Sequence, residues 1–289
     1  VSGPFPIVDA HQHFWDPRVN YHPWLCDATP IAFRYGDYAA LRRPYLPADY
    51  FADAHAHAVA KTVYVETEWD PRDPLGETAW VERTRRATGF PTVMVAQAWL
   101  DRDDVAEVLE RQAAFAFVRG IRHKPRRGAM RDARWRAGYA LLARHGLRFD
   151  LQTEWTELAD AAALCRAFPD TRLVLNHTGL PADRSAEGIA GWRRAIAELA
   201  ACPNAAIKIS GLGVPGRRWT PALNRGVVLS AIEAFGTDRA MFASNMPVDG
   251  LCATFDEIYD GLREIAGSFS ALEQRALFHD NALRIYAME

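Results

Sequence analysis

Eight short runs rich in β-branched and other apolar residues recur along the chain, and each is followed by a longer amphipathic stretch. The runs fall at 7–13, 62–68, 92–98, 118–123, 147–153, 172–177, 205–210 and 240–244. Helix candidates lie at 47–57, 75–88, 103–116, 131–145, 156–167, 186–201, 221–235 and 254–266, with one more at 271–286. A strand followed by a helix, repeated eight times, indicates a parallel sheet closed on itself, because a doubly wound open sheet uses fewer strands. The expected fold is α/β: a single (β/α)8 TIM-like barrel over residues 1–289, with a long loop after strand one and an extra C-terminal helix. No Ser/Gly-rich linker or low-complexity tract divides it. The loop at 14–46 is rich in Pro, Tyr and Trp and is expected to fold over the barrel mouth as a lid; a second long connection spans 211–220.

The composition narrows the classes of partner. With 49% hydrophobic residues in 289, a large core can be buried, and a formal net charge of -2 gives no electrostatic reason to bind nucleic acid or an acidic membrane. No apolar run approaches the roughly 18 residues of a membrane span, and the first residues lack a basic-then-apolar leader pattern. The expectation is a cytoplasmic protein acting on a small molecule, as a monomer or homo-oligomer. Cys26, Cys165, Cys202 and Cys252 are scattered without zinc-ribbon spacing and read as buried free thiols.

In this fold the chemistry collects at the C-terminal ends of the strands. Strand one carries Asp9, His11 and His13; in a regular strand these share a face, with Val8, Ala10 and Gln12 on the other. The two histidines would then stand about 6.6 to 6.8 Å apart at Cα, close enough to reach one ion at roughly 2.0 to 2.1 Å per bond. A second pair, His55-Ala56-His57, follows a helical stretch, where residues two apart diverge and cannot chelate. Glu66 and Glu68 end strand two, and Asp150, Gln152 and Glu154 share one face of strand five. His177 ends strand six, and Lys208 points inward from strand seven. Arg119, Arg122, His123 and Lys124 crowd the end of strand four, which suits an anionic substrate, and Trp15, Trp69, Trp99 and Trp155 follow four strands as a possible stacking rim.

Five segments in order, Val8-Asp9-Ala10-His11-Gln12-His13-Phe14-Trp15-Asp16-Pro17, Val118-Arg119-Gly120-Ile121-Arg122-His123, Leu175-Asn176-His177-Thr178-Gly179, Ile207-Lys208-Ile209-Ser210-Gly211-Leu212 and Met241-Phe242-Ala243-Ser244-Asn245-Met246-Pro247-Val248, resemble the amidohydrolase superfamily. The resemblance is nearest to its branch of sugar lactonases and 2-pyrone-4,6-dicarboxylate lactonases. It implies a hydrolase opening the ester C–O bond of a small, carboxylated or sugar-derived lactone. It also implies that His11, His13 and His177 hold one divalent ion, zinc foremost, with His177 alternatively polarising the substrate carbonyl.

One position departs from that pattern. Asn245 stands where the superfamily usually has Asp as metal ligand and base, and an amide is neither anionic nor basic near neutral pH. Metal binding is therefore expected to be weak or absent, with Asp249, Glu154 or Glu68 as the displaced base. Arg122, Lys208, Glu68, Trp69 and Trp155 are the candidate substrate contacts. A cyclic-amide hydrolase, a decarboxylase or lyase of the same superfamily, and a non-catalytic barrel binding a small acid are the alternatives.

Overall fold

All eight expected strands form, and they lie in sequence order in one parallel sheet: β1 (Ile7–Gln12), β2 (Val59–Val65), β3 (Val93–Gln97), β4 (Val118–Arg122), β5 (Arg148–Leu151), β6 (Leu173–Leu175), β7 (Ala205–Ile209) and β8 (Ala240–Phe242). The computed structural model describes residues 5–288. The sheet closes where Gln12 bridges Met246 and the His13 N–H donates to the Met246 carbonyl at 2.8 Å, so the end of β1 is bonded to the chain just beyond β8. Helices follow each strand, as the alternation requires, and the fold is a (β/α)8 barrel.

Both faces of these strands are buried, which is why they read as nearly continuous apolar runs. Small and β-branched side chains, Val8, Ala10, Val63, Val95, Val174 and Ala206, fill the barrel interior. Larger ones, including Ile121, Phe149, Leu175, Ile207 and Phe242, pack outward against the helices. The C-terminal segment closes the N-terminal mouth, where Arg148 Nε donates to the Ile285 carbonyl and the Tyr286 side chain enters the interior cluster.

The elements depart from expectation in three places. The helix that begins at Pro47 stops at Asp53, so His55 and His57 lie beyond it; His55 is exposed and His57 Nε2 sits 3.1 Å from Asp256, with no shared ligand position. The stretch 131–145 divides into the helix Ala133–Ala140 and a 3-10 turn, Leu142–His145. The expected last helix is broken by a π-helical turn, Ala276–Asp280, which carries Leu277 and Phe278 into the core. Of the cysteines, Cys165 and Cys202 are buried as expected, but Cys26 is exposed.

The loop at 14–46 is packed. Trp24 stacks on Phe33 at 5.9 Å with planes 4° apart, and Trp15 Nε1 donates to the Leu41 and Arg43 carbonyls. Its aromatic content gives a segment with little regular structure enough apolar area to hold its place. Among the described residues, no helix is long and apolar enough to cross a membrane.

Candidate active site

Strand one is not regular at the site. Asp9 pairs with Thr62 while Gln12 pairs with Tyr64, so three steps on β1 face two on β2. One extra residue is a β-bulge, and a bulge re-aims the side chains that follow it. Val8 and Ala10 point into the barrel and Asp9 points out, where it accepts from Tyr50 Oη at 2.8 Å and Ser244 Oγ at 2.6 Å, and the bulge beyond Asp9 takes His11 and His13 off the face that Asp9 occupies. The expected shared face of Asp9, His11 and His13 is corrected: the two histidines lie inside and Asp9 binds the outer wall.

His11 Nε2 and His13 Nε2 are 3.2 Å apart, and His13 Nε2 is 3.3 Å from Asn245 Oδ1. His13 Nδ1 faces the Val65 carbonyl at 2.7 Å, which can only accept, so Nδ1 carries the proton and Nε2 presents a lone pair. Asn245 is oriented by Asp249, whose Oδ1 accepts from Nδ2 at 2.6 Å, and this turns the amide oxygen toward His13. A lone pair thus meets a carbonyl-type oxygen with no proton between them. Burial, with lesser contributions from nearby cations, holds His11, His13 and His177 well below the usual histidine value, so all three rings are neutral at pH 7.

Acceptor facing acceptor in a buried site suits a shared cation. His11 Nε2, His13 Nε2 and Asn245 Oδ1 converge as imidazole and amide donors, with His11 Nδ1 buried and unpartnered. The His177 ring lies 4.5 Å from that of His11, and its Nδ1 is engaged 3.0 Å from Ser210 Oγ, which leaves Nε2 as its remaining ring nitrogen. Among the described residues, no three His, Cys, Asp or Glu side chains group as metal ligands. The donors fit a divalent ion, but all three are neutral.

Strained backbone marks the same region. Glu68, His177, Leu180 and Asn245 have φ of 55°, 51°, 53° and 54°, and all four line one cavity at the C-terminal mouth. Non-glycine residues there cost of order 1 to 3 kcal/mol each and persist where surroundings enforce them, typically at functional sites. Gly211, at φ 64°, leaves room for this geometry: a Cβ on it would lie 2.6 Å from His177 Cβ. Gly211→Ala is expected to displace His177 and to cut kcat at least about tenfold, since small misplacements of reacting groups cost up to about a hundredfold. Unchanged kcat would remove His177 from the reacting set.

The cavity, about 220 Å³, is roofed by the long loop through Trp24, Ile31 and Phe33. Three cations reach it, and each has its own carboxylate. Arg122 Nε donates to Glu66 Oε1 at 2.5 Å, both side chains almost fully buried, and Nη1 donates to Gln152 at 3.1 Å. Lys124 pairs with Glu68 at 2.9 Å, and Arg34 from the loop reaches Asp249 at 3.3 Å. Burial works against the Glu68 carboxylate, but Lys124 and Arg122 outweigh it and hold its pKa below the usual range.

Other expected contacts lie elsewhere. Lys208 is fully buried, 2.5 Å from Asp150, whose carboxylate also accepts from Tyr286 and Asn176, and it does not line the cavity. Inward Lys208, costly unless paired, explains why strand five supplies Asp150. Glu154 is exposed, because the chain turns outward into a 3-10 turn after β5. Trp155 packs against Gly191 on a neighbouring helix, and Trp69 lines an adjoining cavity. Asp249 is buried behind Asn245, where it accepts from Asn245, Tyr35, Arg34 and the Gly211 N–H; burial raises its pKa against those donors. Arg34 and Tyr35 carried no signal in the sequence beyond lying in an aromatic loop.

Glu77, on the helix after β2, is a second buried carboxylate that shapes this wall. Its Oε1 accepts from the Thr67 N–H, Thr67 Oγ1 and Tyr64 Oη, and burial followed by Glu66 raises its pKa to about 7. A folded value above the ordinary 4.5 means the folded state holds the proton longer, so this group's contribution is full below 4.5 and is lost as pH rises through 7. Glu77→Gln, which keeps the shape without the charge, is expected to gain about 3 kcal/mol on wild type between pH 4.5 and pH 8, read as urea midpoints. A pH-independent difference would contradict this.

The amidohydrolase family profile matches residues 8–288, and the chain belongs to that family. A protein of Sinorhizobium fredii described as uncharacterised is 42% identical over 97% of this chain and 98% of its own length. An L-fucono-1,5-lactonase of Burkholderia multivorans is 31% identical, covering 97% and 96%. The crystal structure of an amidohydrolase from Burkholderia multivorans with bound zinc superposes with a TM-score of 0.83 at 30% identity, covering 99% of this chain and all of that one. The chain is a lactonase-like hydrolase of the amidohydrolase superfamily acting on a small molecule.

Proposed function

We propose that this enzyme opens a small, uncharged, hydroxyl-bearing lactone, the class to which sugar lactones belong. The observation that carries the reading is the pairing of every cation at the cavity: Arg122 with Glu66, Lys124 with Glu68 and Arg34 with Asp249. A carboxylated substrate would have to compete with these carboxylates, whereas a neutral ring needs only hydrogen bonds. The expectation of an anion-gripping Arg122 and Lys208 gives way to this arrangement. The fuconolactonase relative supports the same class.

The residues divide the work. Arg122 has five N–H donors, three of them taken by Glu66 Oε1, the Glu66 carbonyl and Gln152, so two remain for a substrate oxygen. If Ser210 donates to His177 Nδ1, the His177 proton sits on Nε2 and can meet the lactone carbonyl as it becomes an oxyanion. Glu68 is the carboxylate on the cavity wall and receives a hydroxyl or water proton. His11, His13 and Asn245 would hold a divalent ion, weakly because they are neutral, and the ion would supply Lewis acidity and activate water.

Acid release from neutral aldonolactones and from a dicarboxylated pyrone lactone, with and without added zinc, tests the reading. The neutral class is expected to be favoured in kcat/KM by about a hundredfold, the factor that corresponds to roughly 3 kcal/mol, the upper end for one hydrogen bond to a charged group. Equal or faster opening of the dicarboxylate would overturn it.

A further inference from the structure

A second cavity adjoins the first and shares Trp24, Ile31 and Glu68 with it. Its far wall is built from Trp69, Trp99 and Gln97, and its volume is about 300 Å³. None of these three far-wall residues lines the first cavity.

Gln97 is 8% exposed, stands at the C-terminal end of β3, and its Oε1 is buried without a hydrogen-bond partner. A buried amide oxygen left unpaired is costly, so it calls for an occupant that donates to it. Trp99 is half-buried, and Arg102 covers one face of its indole at 4.5 Å and holds the ring in place, whereas Trp69 is buried beside His22 and Trp80. Glu68 adds an ionised acceptor at the shared boundary. A flat apolar ring beside an unpaired amide and a carboxylate matches a molecule with one apolar face and hydroxyls round its edge. That describes a pyranose.

We propose that this cavity is a second sugar subsite, so that the enzyme accepts a lactone carrying a further glycosyl unit, the lactone ring in the first cavity and the attached ring against Trp99 and Gln97. The inference rests on the lactonase reading for its chemistry and, apart from the shared Glu68, on separate residues for its binding.

The test compares kcat/KM for a neutral aldonolactone with that for the same lactone bearing a hexopyranosyl unit, across several linkages, in wild type, Gln97→Ala and Trp99→Ala. In wild type at least one glycosyl lactone is expected to exceed the plain lactone by about tenfold, the scale of one stacking contact with a hydrogen bond. Each substitution should bring that ratio near one and leave the plain lactone unchanged. A lactone with a phenyl group in place of the sugar separates stacking from hydroxyl recognition, and an equal gain that survives Gln97→Ala would overturn the sugar assignment. So would a wild-type ratio of one or less for every linkage. Quenching of tryptophan fluorescence by the corresponding unreactive disaccharide, lost in Trp99→Ala, reads the subsite without turnover. Quenching with no lactone opened would sink the lactonase reading and keep the subsite; lactone opening with no quenching and no glycosyl preference would do the reverse.

Discussion

Arg122→Met is expected to destabilise the protein by about 3 to 5 kcal/mol and to abolish most of its activity, because it strands the Glu66 carboxylate in a buried site. The pair is 2.5 Å apart with side chains 3% and 2% exposed, so water cannot take the place of the lost guanidinium. The same guanidinium donates to Gln152 and to the Glu66 carbonyl, tying β2, β4 and β5 together at the mouth. Removing both charges at once, in Glu66→Gln with Arg122→Met, should recover most of the stability, since a buried pair is worth little net against apolar or neutral replacements. It should not recover activity, because the two free N–H donors are gone. Denaturant midpoints and kcat/KM on both variants separate the roles; a double variant as unstable as the single one would show that the destabilisation is not the stranded charge.

The strand ends that carry this pair were readable in the sequence, and their partners were not. The eight apolar runs gave the strand order because each is buried on both faces and flanked by amphipathic helices, a local property. His11, His13, His177 and Asn245 could be placed at the mouth for the same reason. The bulge in β1 could not, since Ile7-Val8-Asp9-Ala10-His11-Gln12 alternates well enough to pass for a regular strand. What turns Asp9 outward is Tyr50 and Ser244, 41 and 235 residues away. Glu66 could be placed at the end of strand two, but nothing near it in the sequence showed that β4 brings Arg122 against it. The same distance hid Arg34 and Tyr35: their meaning depends on Asp249, 215 and 214 residues further on.

Asp249 also decides what a change at Asn245 will do to zinc binding. Asn245→Asp alone places a second carboxylate where the amide nitrogen now donates to Asp249 Oδ1 at 2.6 Å. Two carboxylates that close cannot both ionise and will share one proton, so the new anionic ligand is partly neutralised and the gain in affinity appears only as the pair loses that proton at higher pH. The exchange Asn245→Asp with Asp249→Asn keeps one carboxylate and one amide with the hydrogen bond reversed. It turns the carboxylate toward the His13 Nε2 lone pair without a competing charge behind it. Zinc affinity in this double variant is expected to exceed wild type by more than the ~10–100-fold that outer-ligand changes alone produce. The amide nitrogen at position 249 then also faces Arg34 Nη2, donor against donor, so the long loop should loosen while the metal tightens. Competition titration against a chromogenic chelator at pH 6 and pH 8 measures the first effect, and hydrogen exchange across residues 14–46 measures the second. If wild type already holds a full equivalent of zinc as tightly as the exchanged variant, the neutral donors suffice and the missing carboxylate is not what limits metal binding here.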